Sequence, residues 1–147
     1  MKRIIGVIYH PPGTDIETFL TAFDTWFTSI SKRKTECLLT GHINIDLLKS
    51  DLHLDTEHFI NNLHCHLLIP LNVRPTRFGT HSSTLIDNTC KNRPHDLCES
   101  GALMTDISDH LLIFYISQNT IKQELPKYFI NTLRLQAPII LHPFSLF

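Results

Sequence analysis

Apolar residues occur in short runs and in helical periods along most of the chain, and this pattern predicts alternating strands and helices. The continuous β-branched run over residues 3–9 predicts a strand that is buried on both faces. After a Pro-rich stop, apolar residues recur at helical spacing over residues 15–31, which predicts an amphipathic helix. Thr14 and Glu17 have the spacing of a capping box at its start, and the cations of residues 32–34 favour its end. The apolar positions of this helix are Ile16, Phe19, Leu20, Phe23, Phe27 and Ile30.

Further along the chain the pattern predicts a second helix and several more strands. The predicted elements are a strand at 36–41, a helix at about 56–66, a short extended piece at 68–71, a turn-rich segment at 72–83, a strand at 84–88, a polar loop at 90–100, and strands at 101–104 and 111–117. The second helix has Phe59, Ile60, Leu63 and Leu67 on one face. This order predicts an α/β layered sheet. Residues 118–147 have no clear period and are expected to form a tail.

Composition is typical of one globular domain and favours no particular partner. The chain has 147 residues, of which 42% are hydrophobic and 18% charged, and its net charge of −1 provides no global attraction for nucleic acid. Four irregularly spaced cysteines, without a secretory signal, predict reduced thiols in an intracellular protein, nuclear or cytoplasmic and not secreted. No apolar run approaches the roughly 20 residues that span a bilayer, so we expect no membrane partner.

Polar side chains cluster in sequence where the predicted strands end. Gly41-His42-Ile43-Asn44 follows the apolar run Cys37-Leu38-Leu39 after one threonine, and Ser108-Asp109-His110 precedes another apolar run. Strand ends in α/β sheets present side chains into a cleft. Carboxylates at such positions can bind Mg²⁺, and His and Asn can position a phosphate group, as phosphodiester hydrolysis requires.

Five motifs resemble, in order, those of the endonuclease domains of LINE-type (non-LTR) retrotransposons, a branch of the endonuclease/exonuclease/phosphatase superfamily. They are Ile8-Tyr9-His10-Pro11-Pro12, Gly41-His42-Ile43-Asn44-Ile45-Asp46-Leu47-Leu48, Pro75-Thr76-Arg77, Leu85-Ile86-Asp87-Asn88 and Ser108-Asp109-His110. The resemblance covers about residues 3–117. It implies a partial four-layer α/β sandwich over residues 1–117, equivalent to the C-terminal half of that fold, with residues 118–147 outside it.

The resemblance also implies Mg²⁺-dependent hydrolysis of DNA phosphodiester bonds and a role for each matched residue. The Tyr9 hydroxyl would reach the scissile phosphate, and Asn44 would donate a hydrogen bond to it. Asp87 would orient the imidazole of His110, which contacts the phosphate. Asp109 would be the metal-side carboxylate. As isolated residues, Tyr9 could equally be a packed aromatic, Asn44 a turn residue, Asp46 a helix cap, and Asp109 a loop carboxylate like Asp106.

The chain departs from the family pattern at two points that concern activity. His42 occupies the position of the Asp that activates the attacking water, and neutral imidazole adds no negative charge beside a metal ion. The family's first-strand Asn and its metal-binding Glu have no counterpart here. We therefore expect an endonuclease-like fragment with little or no activity alone. The alternative is a non-catalytic remnant that binds nucleic acid or acts as a scaffold, or that has no selected function.

Two further expectations concern partners. Four cations flank the loops near the predicted site and could contact DNA phosphates, although each taken singly could be a solvated loop residue; they are Arg74, Arg77, Lys91 and Arg93. Half of a two-sheet sandwich leaves one sheet face or strand edge uncovered. Either the tail covers it, or the chain associates with a copy of itself.

Overall fold

Two strands and the helix between them form the unit on which the rest of the fold is built. In the computed structural model, which describes residues 3–31, 35–93, 97–105, 107–118, 129–130, 133–134 and 140–146, the chain has a mixed α/β fold. The helices are α1 (Ile16–Ser31) and α2 (Leu54–Cys65). The strands are β1 (Arg3–Tyr9), β2 (Glu36–His42), β3 (Ile69–Pro70), β4 (Arg77–Phe78), β5 (Ser83–Thr84), β6 (Asp87–Lys91), β7 (Cys98–Leu103), β8 (Leu112–Ser117), β9 (Phe129–Ile130), β10 (Leu133–Arg134) and β11 (Ile140–Leu146).

The main sheet is mixed, in the order β11–β1–β2–β6–β3. β1 and β2 are parallel and joined through α1, whereas β6 runs antiparallel to β2. β4 with β5 and β7 with β8 form two separate antiparallel hairpins. The mixed α/β class predicted from the sequence is therefore confirmed.

Both helices pack on one face of the sheet because their apolar residues recur at helical spacing. Phe19 and Phe23 of α1 and Phe59 of α2 are completely buried and contact one another through their rings. They share a core with Ile8 of β1 and Leu39 of β2. Successive side chains of a strand point to opposite faces. Ile8 and Leu39 face the helices. Tyr9, one residue after Ile8, and His42, three residues after Leu39, therefore lie on the other face.

The ends of the helices differ from the sequence prediction. Asp15, not Thr14, caps α1, because its Oδ2 accepts hydrogen bonds from the backbone N and Oγ1 of Thr18, both at 2.8 Å. These hydrogen bonds lower the pKa of the Asp15 carboxyl. Leu67 does not extend the buried face of α2: it follows the helix with a φ of 59° and is 73% exposed. Residues 32–34, predicted to close α1, lie outside the described residues.

The predicted strand at 84–88 and the polar loop at 90–100 were both misplaced. Leu85 and Ile86 are outside the strands because their carbonyl oxygens accept hydrogen bonds from the β2–α2 connection, at Leu47 N and Ile43 N. The strand resumes as β6 and continues to Lys91, which pairs with Leu38 of β2. β7 then begins at Cys98, inside the predicted loop.

The outer edge of β1 is paired within the chain. The backbone of β11 runs antiparallel to β1, with Arg3 opposite Leu146 and Val7 opposite His142. This pairing removes the free edge of the β1–β2 unit, which is one of the two outcomes expected for the tail. In the part of the chain that the structure describes, no helix combines the length and apolar character needed to cross a membrane.

The four thiols are free, and we expect them to differ strongly in reactivity. Burial raises the pKa of the Cys90 thiol to about 12, and burial with the nearby Cys90 and Glu36 does the same at Cys37. Because the thiolate is the reacting form, iodoacetamide should label the exposed Cys65 rapidly and leave Cys37 and Cys90 unlabelled until denaturant is added. Peptide mass spectrometry over time measures this order. Cys65→Ser should remove the fast phase, and rapid native labelling of Cys90 would contradict the buried β2–β6 pairing.

Candidate functional site

Strand pairing places three of the predicted site residues side by side at one end of the sheet. Tyr9 is the last residue of β1 and lies opposite His42, the last residue of β2. His42 in turn lies opposite Asp87, the first residue of the antiparallel strand β6. The Tyr9 ring stacks on the His42 imidazole with a centroid separation of 5.8 Å. The register of β1, β2 and β6 is therefore what brings these side chains together.

The carboxylate of Asp87 binds two imidazoles, one with each oxygen. His42 Nδ1 lies 2.9 Å from Oδ1, and His110 Nδ1 lies 2.8 Å from Oδ2. The side chains of His42 and His110 are 25% and 32% exposed, whereas that of Asp87 is 13% exposed. The Asp87–His110 pairing is the one that the resemblance implies. The bond from His42 to the same carboxylate was not anticipated, and it makes Asp87 the centre of the site.

Thr76 fixes the orientation of this carboxylate and was missed as a site residue. Its hydroxyl donates to Asp87 Oδ2 at 3.0 Å and accepts hydrogen bonds from the backbone N of Asp87 at 3.0 Å and of Ile86 at 3.3 Å. Thr76 is completely buried. The signal in the sequence was the Pro75-Thr76-Arg77 motif, which carried the resemblance without a role for its threonine.

The segment before β8 places His110 and directs Asp109 elsewhere. His110 forms an isolated bridge with Arg77, and its backbone N donates a hydrogen bond to Ser108 Oγ at 3.1 Å. Asp109 Oδ2 instead accepts a hydrogen bond from Arg77 Nε at 2.7 Å. This bond to Arg77 is the main reason that the pKa of the exposed Asp109 carboxyl is lowered. Asp109, predicted as the metal ligand, thus belongs to a neighbouring ion pair; Asp106 lies outside the described residues.

Asn44 has the geometry of a turn residue and lines a different recess. Its φ of 55° lies in the left-handed region that asparagine tolerates. The recess is also lined by His10, Asp46 and Lys49. Asp46 caps the short helical turn at Leu47–Lys49, which agrees with the interpretation of Asp46 as a helix cap. The structure does not bring Asn44 into the hydrogen-bonded cluster of His42, Asp87 and His110.

The four cations expected to contact DNA are placed differently from one another. Arg74 is exposed, and Arg77 is exposed but bound to Asp109. Arg93 is partly buried. Lys91 is the last residue of β6 and only 3% exposed, and its ammonium donates to Sγ of Cys98, the first residue of β7, at 3.0 Å. Of the four expected cations, Lys91 is thus the one that is buried.

His42, Asp87 and His110 also form a group of possible metal ligands. One donor atom from each residue lies within 4.8 Å of the others. This donor set contains two imidazole nitrogens and a single carboxylate, whereas Mg²⁺ prefers oxygen ligands in octahedral geometry. The group therefore fits the Mg²⁺ implied by the resemblance poorly.

Comparisons with known proteins assign no relative to this chain: no family model, no curated protein and no solved structure matches it. The functional argument therefore depends on the cluster itself and on the motifs.

Proposed function

We propose that this chain is an endonuclease/exonuclease/phosphatase-like domain, related to LINE-type retrotransposon endonucleases, that binds a nucleic-acid phosphate group and hydrolyses phosphodiester bonds little or not at all. In this proposal the sheet and its helices correspond to two layers of the four-layer α/β sandwich. The cluster face would be the one directed toward the second sheet. The observation that carries the proposal is the Asp87 carboxylate bound to two imidazoles at the strand ends.

The cluster is suited to binding a phosphate group. With Nδ1 of each ring held by Asp87, Nε2 of His42 and of His110 is left for a ligand. In its imidazolium form each ring carries an Nε2–H as well as the Nδ1–H directed at Asp87, and this Nε2–H can donate to a phosphoryl oxygen. The Tyr9 hydroxyl, on the ring stacked against His42, can add a donor to the same anion. Charge-assisted hydrogen bonds of this kind are stronger than neutral ones.

The same cluster is poorly suited to hydrolysis. The attacking water needs a base, and Asp87, the single carboxylate of the described cluster, already accepts from His42, His110 and Thr76. Asp109 is bound to Arg77. A positioned general base is typically worth about 10²–10⁴ in rate. Since His42 replaces the family's Asp, we expect this factor to be lost.

Binding of a short DNA duplex should depend on both imidazoles. We expect His42→Ala and His110→Ala each to weaken binding by roughly 10- to 100-fold, because each removes a charge-assisted hydrogen bond worth about 1.5–3 kcal/mol. Fluorescence anisotropy with a labelled duplex at low salt measures this change. His58→Ala is the matched control: His58 also contacts a carboxylate, Glu17 at 3.2 Å, but on the helical layer. Its binding should equal that of the native chain.

Plasmid nicking with Mg²⁺ or Mn²⁺ completes the test on the same samples. The native chain should not nick above the buffer background. Nicking by the native chain that is lost in His110→Ala would overturn the claim of impaired hydrolysis. Duplex binding that is equal in the native chain, His42→Ala and His110→Ala would overturn phosphate recognition at the cluster and favour a scaffold without a nucleic-acid site.

A further inference from the structure

We infer that His42, Asp87 and His110 form a binding site for a borderline-soft divalent cation such as Zn²⁺, in place of Mg²⁺. The inference uses the same three side chains as the proposed phosphate site, but it does not depend on nuclease ancestry. It follows from the identity of the donor atoms, from their spacing and from the contacts that hold them in place.

The donor atoms favour a transition metal over Mg²⁺. Imidazole nitrogen suits Zn²⁺, Co²⁺, Ni²⁺ and Cu²⁺, whereas Mg²⁺ and Mn²⁺ are held mainly by carboxylate, carbonyl and water oxygens. Two of the three donors here are imidazoles. An Asp in place of His42 would shift the set to one nitrogen and two carboxylates. The residue at this one strand end therefore decides which class of cation the site accepts.

The spacing of the donors is close to that of a bound ion. His42 Nδ1 and His110 Nδ1 lie 2.9 and 2.8 Å from the two oxygens of Asp87. Ligand atoms about 2.0–2.2 Å from Zn²⁺ are roughly 3 Å apart when they are neighbours in its coordination sphere. The donor atoms span up to 4.8 Å, whereas two nitrogens bound to one Zn²⁺ ion are at most about 4 Å apart. The two imidazoles would therefore turn toward each other as a cation replaces the protons in these hydrogen bonds. Each Nδ1 proton leaves as the metal–nitrogen bond forms: from an imidazolium it goes to solvent, and from a neutral ring it is relocated to Nε2, so the bound imidazole is neutral in both cases.

The three ligands are held in place before a metal arrives. Thr76 orients the Asp87 carboxylate, and β2–β6 pairing sets His42 opposite Asp87. The bridge to Arg77 fixes the backbone of His110. Outer contacts of this kind orient metal ligands and commonly affect affinity by about 10- to 100-fold. Two pairs outside the cluster, His58–Glu17 and His66–Asp24, offer one imidazole and one carboxylate each, and among the described residues neither belongs to a group of three ligands.

The partial exposure of both imidazoles leaves room for further ligands. Three protein ligands with one position open to water is the arrangement of zinc sites that act on or bind a ligand, whereas purely structural zinc sites use four. A cation here would carry a water molecule or an anion in the open position. The exposed side of the cluster is where such a ligand would enter.

Titration of the metal-free full chain with Co²⁺ and Zn²⁺, in the absence of nucleic acid, tests the site. We expect one equivalent of Co²⁺ to give visible d–d absorption bands, and Zn²⁺ to displace it. Mg²⁺ at millimolar concentration should not displace the Co²⁺. His42→Gln and His110→Gln should each weaken Zn²⁺ binding, measured by calorimetry, by at least about 10- to 100-fold. His58→Gln should bind as the native chain does, and circular dichroism checks that every variant is folded.

His42→Asp provides the sharpest result. In this variant Zn²⁺ affinity should fall while Mn²⁺ and Mg²⁺ affinity rises, a reversal that general loss of structure would not produce. Stoichiometric Co²⁺ binding that persists in folded His42→Gln and His110→Gln, or that is lost equally in His58→Gln, would overturn the inference. Absence of Co²⁺ binding in the native chain would also overturn it. Because no DNA is present, failure here is distinguishable from failure of duplex binding.

Discussion

Gly41→Ala is expected to destabilise the protein by about 4 kcal/mol or more, the largest effect that we expect of any single methyl group in the chain. Gly41 has a φ of +146°, and a Cβ at this position would lie 2.0 Å from the backbone oxygen of Ile8. Ile8 is the residue directly opposite in the parallel β1–β2 pair. The methyl group can be accommodated only if the two strands separate where Tyr9 and His42 meet. Urea denaturation followed by circular dichroism measures the loss.

Gly13→Ala is the matched control for this prediction. Gly13 also has a positive φ, of +76°, but an added Cβ would have no atom within 4 Å. It should therefore cost only the backbone strain of a left-handed alanine, about 1–2 kcal/mol. Equal losses in the two variants would mean that strain alone, and not the close approach of β1 to β2, requires a glycine at position 41.

The close approach of Gly41 to the Ile8 backbone explains why the motif Gly41-His42-Ile43-Asn44 begins with a glycine, whose role is structural. Local pattern placed this motif at a strand end, and the structure agrees. What the pattern could not predict is the backbone approach, because that depends on a neighbouring strand more than thirty positions earlier. The glycine allows β2 to approach β1, and the approach places His42 against the Tyr9 ring.

Helix α1 shows which buried residues the helical period can predict and which it cannot. Its spacing correctly predicted that Phe19, Phe23 and Phe27 are buried, because a 3.6-residue period defines one face. It did not select Trp26, which is only 6% exposed. Trp26 packs beside Gly6 of β1, where an added Cβ would meet the indole at 3.4 Å, an ordinary contact, and the Leu39 side chain at only 2.6 Å. That complementarity joins two elements and cannot be detected within either one.

The candidate site was partly predictable for the same reason. Strand ends and motifs indicated Tyr9, His42, Asp87 and His110, and the structure brings these four together. The motifs did not separate them from Asn44, which lines another recess, or from Asp109, which pairs with Arg77. These differences arise from the register of β2 with β6 and from a loop bridge, both of which are tertiary. The second imidazole on Asp87 is likewise a product of register.

Thr76→Val is expected to destabilise the protein by about 2–4 kcal/mol and to weaken cation binding at the proposed site of His42, Asp87 and His110. Valine keeps the shape of threonine but removes the hydroxyl that donates to Asp87 Oδ2 and accepts from two backbone N–H groups. Thr76 is completely buried, so water cannot replace these bonds, and each unsatisfied buried group costs about 1–3 kcal/mol. Denaturant unfolding measures the stability, and Co²⁺ titration of the folded variant measures the effect on the cluster.

Thr76→Ser separates the hydroxyl from the methyl group. Serine keeps the three hydrogen bonds and loses one buried methyl, so its cost should be near 1 kcal/mol, the usual value for a buried carbon. Its Co²⁺ spectrum should match that of the native chain, whereas Thr76→Val should bind Co²⁺ about 10- to 100-fold more weakly, as expected when an outer contact to a ligand is removed. If Thr76→Val and Thr76→Ser bind Co²⁺ equally well, the hydroxyl does not position Asp87. The carboxylate would then owe its orientation to the two imidazoles alone.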